Sequence, residues 1–207
     1  MAAKLVVRAI IFDYGNVLER FDNERFLRAM DKHSKLGVDQ LRRVVYETSG
    51  LPRKFETGEI SPSEFYQRMC KVCLSLMKQG AFRDIYVNKF APILETQALI
   101  PKLAAKYSLA LLSNTSTWDF KNGIKKMPIF RYFKAVSLSY EVKAMKPDQR
   151  IWQDCLSKLR LSAQECVYLD DIAGYVGAAR EMGMYGIHVT TPQSVVDGLK
   201  DVGVEID

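Results

Sequence analysis

Three carboxylates stand directly behind two short apolar runs of this chain. Asp13 follows the β-branched run at residues 6–12, and Asp170 and Asp171 follow the apolar segment at 166–169. Carboxylates that meet at one place repel each other unless a cation lies among them. Since the set offers only oxygen ligands, the cation expected here is Mg²⁺, which takes one or two protein carboxylates and keeps its other positions for water and phosphate.

A hydroxyl, an amide and an ammonium group occupy comparable positions elsewhere. Ser113 and Asn114 follow the apolar run at 108–112, and Lys146 precedes a predicted helix. Hydroxyl and ammonium groups bind phosphate oxygens, so together with Mg²⁺ they indicate chemistry on a phosphate ester. Each group also has an ordinary explanation as a turn, a helix start or a solvated loop, and Asp13 alone could simply cap a turn. Their joint occurrence at strand ends favours a site.

The run before Asp13 has no polar face, which is typical of a buried strand in a parallel sheet. Such a strand ends at the carboxyl edge of the sheet, where ligands bind, and Gly15 is expected to let the chain turn tightly behind Asp13. From residue 95 onward, helical patterns alternate with short apolar runs, which predicts an α/β fold with a doubly wound, Rossmann-like parallel sheet. The further predicted strands are 108–112, 134–138, 166–169 and 185–189, and the predicted helices are 96–107, a stretch ending at 126, 147–159, 176–182 and 192–202.

The segment from residue 21 to 92 has a different character, because its apolar residues have helical spacing and no strand pattern. It is predicted to form a small helical bundle inserted after the first strand, over the crevice. We assign residues 1–19 and 93–207 to the core and 20–92 to an α-helical cap. The cap helices are predicted at 23–34, 38–48, 61–77 and 81–90. The loop at 50–61 could face the site that contains Asp13.

Two cysteines of the third cap helix, Cys70 and Cys73, form a CxxC pair. Such a pair can bind a metal or carry redox chemistry, but no second pair and no nearby histidine completes a zinc site. The helical pattern makes both cysteines core-facing positions instead.

The composition agrees with a globular protein that acts on small anions. The chain has 207 residues, 48% of them hydrophobic, which suits one α/β domain with an insertion. It contains no apolar run long enough to cross a membrane, and the first strand begins too near the amino terminus to leave room for a signal peptide, so a cytoplasmic location is expected. The net charge of +6 comes from scattered basic residues, so a small phosphorylated metabolite is the expected partner and nucleic acid is not. The oligomeric state stays open.

Four segments together resemble the motifs of the haloacid dehalogenase superfamily. FDYGNVL is similar to the first motif, LLSNTS to the second, KAMKPDQRIW to the third and VYLDDIAGYVGAA to the fourth. Their order and spacing cover nearly the whole chain. The chain is most similar to members with an α-helical cap after the first strand, including sugar-phosphate phosphatases whose first motif reads DxGN. It also resembles the phosphatase-like N-terminal domain of soluble epoxide hydrolase, where FETGEIS and LDDI are similar as well.

The resemblance implies a Mg²⁺-dependent phosphatase of a small phosphate monoester, with sugar phosphates among the candidates. Asp13 would attack phosphorus in line and carry the phosphoryl group as an aspartyl-phosphate. Mg²⁺ would be held by the Asp13 carboxylate, the backbone carbonyl of Gly15 and Asp171. Asp170 would be a second-choice ligand or would act from outside the ligand set.

The same resemblance assigns the phosphoryl-binding groups. Ser113 and Lys146 would bind the transferring phosphoryl oxygens, and Asn114 would help to position them. Lys143 is a near neighbour, but the Lys-Pro pair of the third motif favours Lys146. Phosphoryl transfer asks a protein mainly for positioning and charge neutralisation, which these groups would supply.

Two positions depart from the family pattern. Most phosphatases of the superfamily have a second Asp two residues after the nucleophile, which protonates the leaving group and then activates water, and here Gly15 stands in that position. General acid–base catalysis contributes about 10²–10⁴-fold, so water or a cap residue such as Glu56 or Glu59 substitutes, or turnover is slow. The fourth motif usually has Asn or Asp where Tyr175 stands, and a tyrosine is a poor Mg²⁺ ligand, which would weaken metal binding.

Two other functions are open to a chain of this kind. A 2-haloacid dehalogenase would use the same aspartate to attack carbon without a metal, but Asp170 and Asp171 would repel its anionic substrate. A catalytically impaired binding or regulatory protein on the same fold would explain Gly15 and Tyr175. The substrate depends on the cap, where the candidate contacts are Arg20, Arg53, Lys54 and Phe55.

Overall fold

Residues 6–206 are described by the structure, a computed structural model. The strands in this range are β1 (Ala9–Phe12), β2 (Glu19–Phe21), β3 (Phe90–Pro92), β4 (Ser108–Ser113), β5 (Phe133–Leu138), β6 (Cys166–Asp170) and β7 (Tyr185–His188). The α-helices are α1 (Asn23–Asp31), α2 (Val38–Arg42), α3 (Leu51–Glu56), α4 (Pro62–Val72), α5 (Gln79–Val87), α6 (Leu94–Gln97), α7 (Leu99–Lys106), α8 (Thr117–Asn122), α9 (Ser139–Val142), α10 (Gln149–Leu159), α11 (Ala173–Glu181) and α12 (Pro192–Asp201). A π-helical stretch (Arg43–Thr48) and 3₁₀ turns (Ile124–Lys126, Pro128–Tyr132, Ala163–Glu165) complete them.

Five strands form one parallel sheet in the order β5-β4-β1-β6-β7, with β1 at its centre. Phe12 pairs with Leu111 of β4 and with Leu169 of β6, so these three strands end almost level. Alternate residues of β1 point to opposite faces, Phe12 into one apolar cluster and Ile11 into the other. Helices α7 and α12 pack on the first face, and α10 and α11 pack on the second. The predicted doubly wound α/β fold is confirmed.

Helices α1 to α5 lie between β2 and β3 and surround an apolar cluster of their own. Aromatic rings dominate this cluster: Phe55 stacks on Phe65 with ring centroids 4.3 Å apart, and Phe65 makes edge contacts with Phe82 and Tyr86. Trp118 of α8 also joins the cluster. The helical insertion is therefore packed directly on the core.

The prediction of a purely helical insertion is wrong at its end. β2 and β3 pair antiparallel where the chain leaves and re-enters the core, Phe21 opposite Phe90, with their rings 5.4 Å apart. Each strand has only three residues, which is too short for the alternation that predicts a strand.

The prediction of a loop at 50–61 is also wrong for the first half of that segment, which forms α3. Leu51 and Phe55 are one helical turn apart and both are buried, but two isolated apolar residues give little helical signal in a sequence. Other predicted helices differ in type or extent, among them the following three. The helix predicted over 38–48 becomes π-helical at Arg43, the one predicted over 61–77 ends at Val72, and the one predicted over 96–107 is interrupted at Ala98.

The CxxC pair contributes to packing. Cys73 is buried in the apolar cluster of the insertion, Cys70 packs against it, and both are free thiols. Within residues 6–206, the group of side chains that could hold a metal is Asp13, Asp170 and Asp171. None of the helices in the same range has the length and apolar character needed to traverse a bilayer.

Candidate active site

The carboxyl ends of β1, β4 and β6 bring Asp13, Ser113 and Asp170 to one edge of the sheet. Asp13 follows β1 directly, and its N–H donates to the Leu169 carbonyl at 2.9 Å. A cavity of about 260 Å³ opens at this edge. Of the predicted site residues, it is lined by Asp13, Gly15, Ser113, Asn114, Lys146 and Asp171.

Lys146 connects two of the aspartates. Its Nζ lies 2.7 Å from Asp13 Oδ1 and 2.7 Å from Asp170 Oδ2, and all three side chains are buried. Asn114 fixes the backbone of Lys146, because its Oδ1 accepts from the Lys146 N–H at 2.8 Å and its Nδ2 donates to the Lys146 carbonyl at 3.3 Å. The amide predicted to help position phosphoryl oxygens is therefore engaged in positioning the lysine.

Asp170 is completely buried, and its carboxylate already has several donors. Oδ2 accepts from Lys146 and from the Tyr168 hydroxyl, and Oδ1 accepts from the Ile172 N–H at 2.8 Å. Asp170 is also not part of the cavity wall. Of the two roles considered for this residue, the geometry fits the one outside the ligand set: Asp170 holds Lys146 in place.

Asp171 presents a half-buried carboxylate to the cavity. Asn16 donates from Nδ2 to Asp171 Oδ2 at 2.9 Å and accepts the Phe21 N–H on its Oδ1 at 3.0 Å. Asn16 thus ties this carboxylate to the start of the insertion, from a left-handed backbone conformation with φ 53° that Asn tolerates better than most residues. Sequence reasoning gave Asn16 no role, although a polar residue in the turn behind the nucleophile was an available signal.

Gly15 does not have the tight-turn role predicted for it. Its φ is not positive, and a Cβ added there would have Phe21 Cβ, at 3.9 Å, as its nearest neighbour. The tight turn uses Asn16 instead, since that residue takes the left-handed conformation. Position 15 therefore has room for a side chain, and the missing acid is not excluded by space.

The electrostatics of this edge favour a bound cation. Burial raises the pKa of Asp13 to about 7, while Lys146 opposes that rise and Asp170 adds to it. Burial also raises the pKa of Asp171, against the hydrogen bond from Asn16. One carboxylate oxygen from each of the three aspartates lies within 4.8 Å of the others. The two of these carboxylates that line the cavity, Asp13 and Asp171, fit a hard divalent cation such as Mg²⁺, which would favour their ionised forms.

Two further polar side chains complete this part of the cavity. Ser113 Oγ is 3.5 Å from the Asn114 carbonyl oxygen, which is too long for a strong hydrogen bond and leaves the hydroxyl available to a ligand. The Tyr175 ring centroid lies 5.1 Å from Lys146 Nζ, within the range of a cation–π contact. Tyr175 therefore contacts the lysine from the position where Asn or Asp was expected.

Another side of the wall comes from the helical insertion, the β2–β3 ribbon and α8. It is lined by Phe21, Glu56, Lys89, Phe90 and Asp119. Of the two cap acids considered as substitutes for the missing acid, Glu56 lines the cavity. Glu59 is exposed and accepts a hydrogen bond from the Thr57 hydroxyl at 2.7 Å.

The four cap residues expected to contact a substrate lie elsewhere. Phe55 is buried in the apolar cluster of the insertion, and Arg53 and Lys54 are exposed on α3. Arg20 is exposed on β2 beside a separate surface groove. Sequence reasoning missed Lys89 and Asp119, which lie far apart in the chain and show no local motif.

Glu56 has an unusual environment for a carboxylate. Burial raises the pKa of Glu56 to about 7, Lys89 opposes the rise and Asp119 adds to it. Apart from helix bonds, the hydrogen bond that the described residues make with Glu56 goes from Ser139 Oγ to its backbone carbonyl, at 2.6 Å. The carboxyl group is therefore available to a ligand in the cavity.

A family model described as haloacid dehalogenase-like hydrolase matches residues 24–189. The chain belongs to the haloacid dehalogenase-like hydrolase family. The chain is similar to D-ribitol-5-phosphate phosphatase of Bacteroides thetaiotaomicron, which is 24% identical over 187 residues that cover 86% of this chain and 89% of the relative. Acyl-CoA dehydrogenase family member 10 of Mus musculus is 28% identical over 203 residues, which cover 93% of this chain but only 19% of the mouse protein.

A solved structure of the family agrees on the fold. A HAD family enzyme from Bacteroides thetaiotaomicron, in complex with magnesium and inorganic phosphate, superposes with a TM-score of 0.74 at 24% identity, covering 86% of this chain and 91% of that one. At this identity the likeness is one of fold alone.

Proposed function

We propose that the chain is a Mg²⁺-dependent phosphatase that hydrolyses a small phosphate monoester through an aspartyl-phosphate. The observation that carries this proposal is the placement of the Asp13 and Asp171 carboxylates, Lys146 and the Ser113 hydroxyl around one cavity. The related D-ribitol-5-phosphate phosphatase and the solved complex with magnesium and phosphate support it.

The proposed roles follow from position and chemistry. Asp13 attacks phosphorus in line, and its carboxylate oxygen bonds to phosphorus as the bond to the leaving alcohol oxygen breaks. Lys146 and Ser113 bind the phosphoryl oxygens, and Asn114 and Asp170 keep Lys146 in place. Mg²⁺ would be held by Asp13, Asp171 and the carbonyl of Gly15, where it neutralises charge on the carboxylates and the phosphoryl group.

We further infer that residues 20–92 act as a cap on the cavity. Besides the bond from Ser139 to Glu56, Lys143 Nζ donates to the Gly58 carbonyl at 2.7 Å. Gly58 has φ +65°, and a Cβ there would lie 2.4 Å from Lys143 Nζ and 2.5 Å from the Tyr140 carbonyl oxygen. This close approach of the insertion to the core supports its role as the cover of the site.

Removal of divalent metal tests the proposed reaction. With Mg²⁺ present, the protein is expected to release phosphate from an aryl phosphate, and chelation with EDTA should reduce this rate to background because Asp13 and Asp171 lose their counter-charge. Excess Mg²⁺ should restore the rate. Phosphate release is measured before and after each addition.

The other two functions give different results in parallel assays. Metal-independent release of halide from a 2-haloacid would indicate the dehalogenase. Absence of turnover with both substrates, together with Mg²⁺ binding measured by calorimetry, would favour the binding or regulatory protein. Either result would contradict the phosphatase proposal.

We also propose that Glu56 supplies the proton that Gly15 cannot. Glu56 lines the cavity with its carboxyl group free, whereas the other acid that lies outside the metal set, Asp119, is ion-paired with Lys89. With a pKa of about 7, Glu56 has the acidity that suits proton transfer at neutral pH. In its protonated form it would protonate the leaving alcohol oxygen, and as a carboxylate it would then accept a proton from the attacking water.

Glu56→Gln should therefore have an effect that depends on the leaving group. For an alkyl phosphate, whose leaving alkoxide is strongly basic, kcat/KM should fall about 10²-fold, and for an aryl phosphate the fall should be much smaller. The wild-type kcat/KM should decline above about pH 7 as Glu56 loses its proton, and this limb should vanish in the variant. Equal losses for both substrates would contradict the role.

A second substitution provides a rescue. Position 15 has room for a side chain, so Gly15→Asp in the Glu56→Gln background should recover part of the alkyl phosphatase activity. If activity is not recovered although the Mg²⁺ affinity is unchanged, the function that Glu56→Gln removes is not proton transfer.

A further inference from the structure

A second pair of charged groups lines the same cavity as Asp13. Lys89 lies between α5 and β3, and Asp119 lies in α8. Both side chains are only 3% exposed, and Lys89 Nζ is 3.3 Å from Asp119 Oδ2. This pair has no role in the proposed reaction. It supplies neither the nucleophile, the metal ligands, the phosphoryl-binding groups nor the proton donor.

The hydrogen bonds of this pair are incomplete. Asp119 Oδ1 is buried and has no partner among residues 6–206, whereas Oδ2 accepts from Lys89 and also from Ser116 Oγ at 2.9 Å. The ammonium of Lys89 has three donors, and besides Asp119 it interacts with the Tyr86 ring, whose centroid lies 3.6 Å from Nζ, and with the Glu56 carboxyl, whose pKa it lowers. Buried polar atoms without a partner are rare in native proteins, and each one calls for a reason such as a ligand.

A hydroxyl group would complete the hydrogen bonding of both Lys89 and Asp119. It accepts a hydrogen bond from the ammonium through its oxygen and donates its own hydrogen to the free carboxylate oxygen. A hydrocarbon in the same place would leave Asp119 Oδ1 and the remaining donors of the Lys89 ammonium unsatisfied, and an ammonium would face the charge of Lys89. The chemistry of the pair therefore favours an alcohol that carries more than one hydroxyl.

We propose that Lys89 and Asp119 form a hydroxyl-binding subsite, and that the substrate is the phosphate ester of a short polyol or sugar. This inference rests on the proposed phosphatase function and specifies the alcohol that the cavity accepts. The cavity volume of about 260 Å³ lies below the roughly 300–1,000 Å³ of most ligand pockets, which limits the length of that alcohol. The rings of Phe21 and Phe90 in the same wall offer apolar contact to its carbon chain.

Matched esters test the subsite directly. The wild-type enzyme with Mg²⁺ is assayed on a pentitol phosphate, on the n-pentyl phosphate of equal chain length and on an aryl phosphate. A site built to pair with hydroxyl groups rejects analogues that lack them, so kcat/KM for the pentitol ester should exceed that for the pentyl ester by at least about 10²-fold.

The decisive variant is the double substitution Lys89→Gln/Asp119→Asn. Asp119→Asn alone would leave Lys89 buried without a counter-charge, which is strongly destabilising, whereas the double change keeps a neutral hydrogen-bonding pair. It should reduce the pentitol preference to about tenfold or less, mainly through a higher KM for the pentitol ester. Arg83→Gln/Asp84→Asn removes an exposed ion pair of α5 and serves as the control that should change none of these values.

Each contrary result has a separate meaning. If the aryl ester is hydrolysed but the pentitol and pentyl esters react equally, the subsite is wrong and the phosphatase stands. If the double variant lowers the melting temperature and keeps the full pentitol preference, the pair is structural only and the inference is overturned. Preference for the phosphate of an amino alcohol would also overturn it, and hydrolysis of no ester at all would remove the proposed function together with the subsite.

Discussion

Asp13→Asn is expected to abolish phosphate release, with a fall in kcat on the order of 10⁴–10⁶-fold, the range seen when a catalytic triad residue is removed. The amide has nearly the same shape as the carboxylate but is a poor nucleophile. Its Oδ1 can still accept the hydrogen bond that Lys146 Nζ now donates to Asp13 at 2.7 Å, so the fold should be retained. Steady-state rates on an aryl phosphate, with the melting temperature measured in parallel, separate loss of chemistry from loss of structure.

A covalent readout sharpens the same experiment. The wild-type enzyme, quenched during turnover and cleaved with a protease, should give a peptide that contains Asp13 and carries one added phosphoryl group, and Asp13→Asn should give none. Asp31→Asn removes an exposed carboxylate of α1 and should leave both readouts unchanged. Residual activity above about one hundredth of the wild-type rate would assign the attack to water and contradict an aspartyl-phosphate.

The parallel core was predictable because its signals are local. Ala9–Phe12 and Cys166–Asp170 are buried along their whole length, so each appears in the sequence as an uninterrupted apolar run followed by an acid. The position of the acids follows from topology, since parallel strands share a carboxyl edge. Six of the seven predicted site residues consequently line one cavity, and Asp170 lies directly behind Lys146.

The side of the cavity formed by the insertion was much less predictable, because its residues meet only in three dimensions. Lys89 and Asp119 pair across the boundary between insertion and core, and neither residue stands in a pattern that marks it. Phe55 was one of the candidate substrate contacts in the cap, yet it stacks on Phe65 inside the apolar cluster. A sequence read along the chain indicates which residues are apolar, but not which of two apolar surfaces they will face.

Gly15 and Asn16 illustrate the same limit at the scale of one turn. Glycine was the natural candidate for the strained position behind the nucleophile, but the left-handed residue is Asn16. Its amide compensates for that conformation by bonding both Asp171 and the Phe21 backbone. The turn is therefore determined by hydrogen bonds to distant residues, and local conformational preference alone assigns it to the wrong position.

Lys146→Met should affect both stability and catalysis. The ammonium lies 2.7 Å from Asp13 and from Asp170, so its removal leaves two buried carboxylates without their shared counter-charge. Loss of one partner from a buried ion pair costs about 3–5 kcal/mol in the free energy of unfolding, which corresponds to a fall in melting temperature of roughly 6–20 °C for a chain of this size. Phosphate release should also be lost, because the ammonium group beside Asp13 that binds the transferring phosphoryl oxygens is gone.

The pH dependence of this stability loss identifies its cause. Without Lys146 to oppose it, the rise in the pKa of Asp13 that burial causes becomes larger. A group whose pKa is raised in the folded state contributes stability below its unfolded pKa and loses it as pH rises through the folded value. The stability deficit of Lys146→Met relative to wild type should therefore be larger near pH 8 than near pH 5, measured by thermal unfolding in EDTA. Lys102→Met, at an exposed position on α7, should show no such dependence. A deficit that does not change with pH would mean that Lys146 stabilises the fold by packing and not by charge.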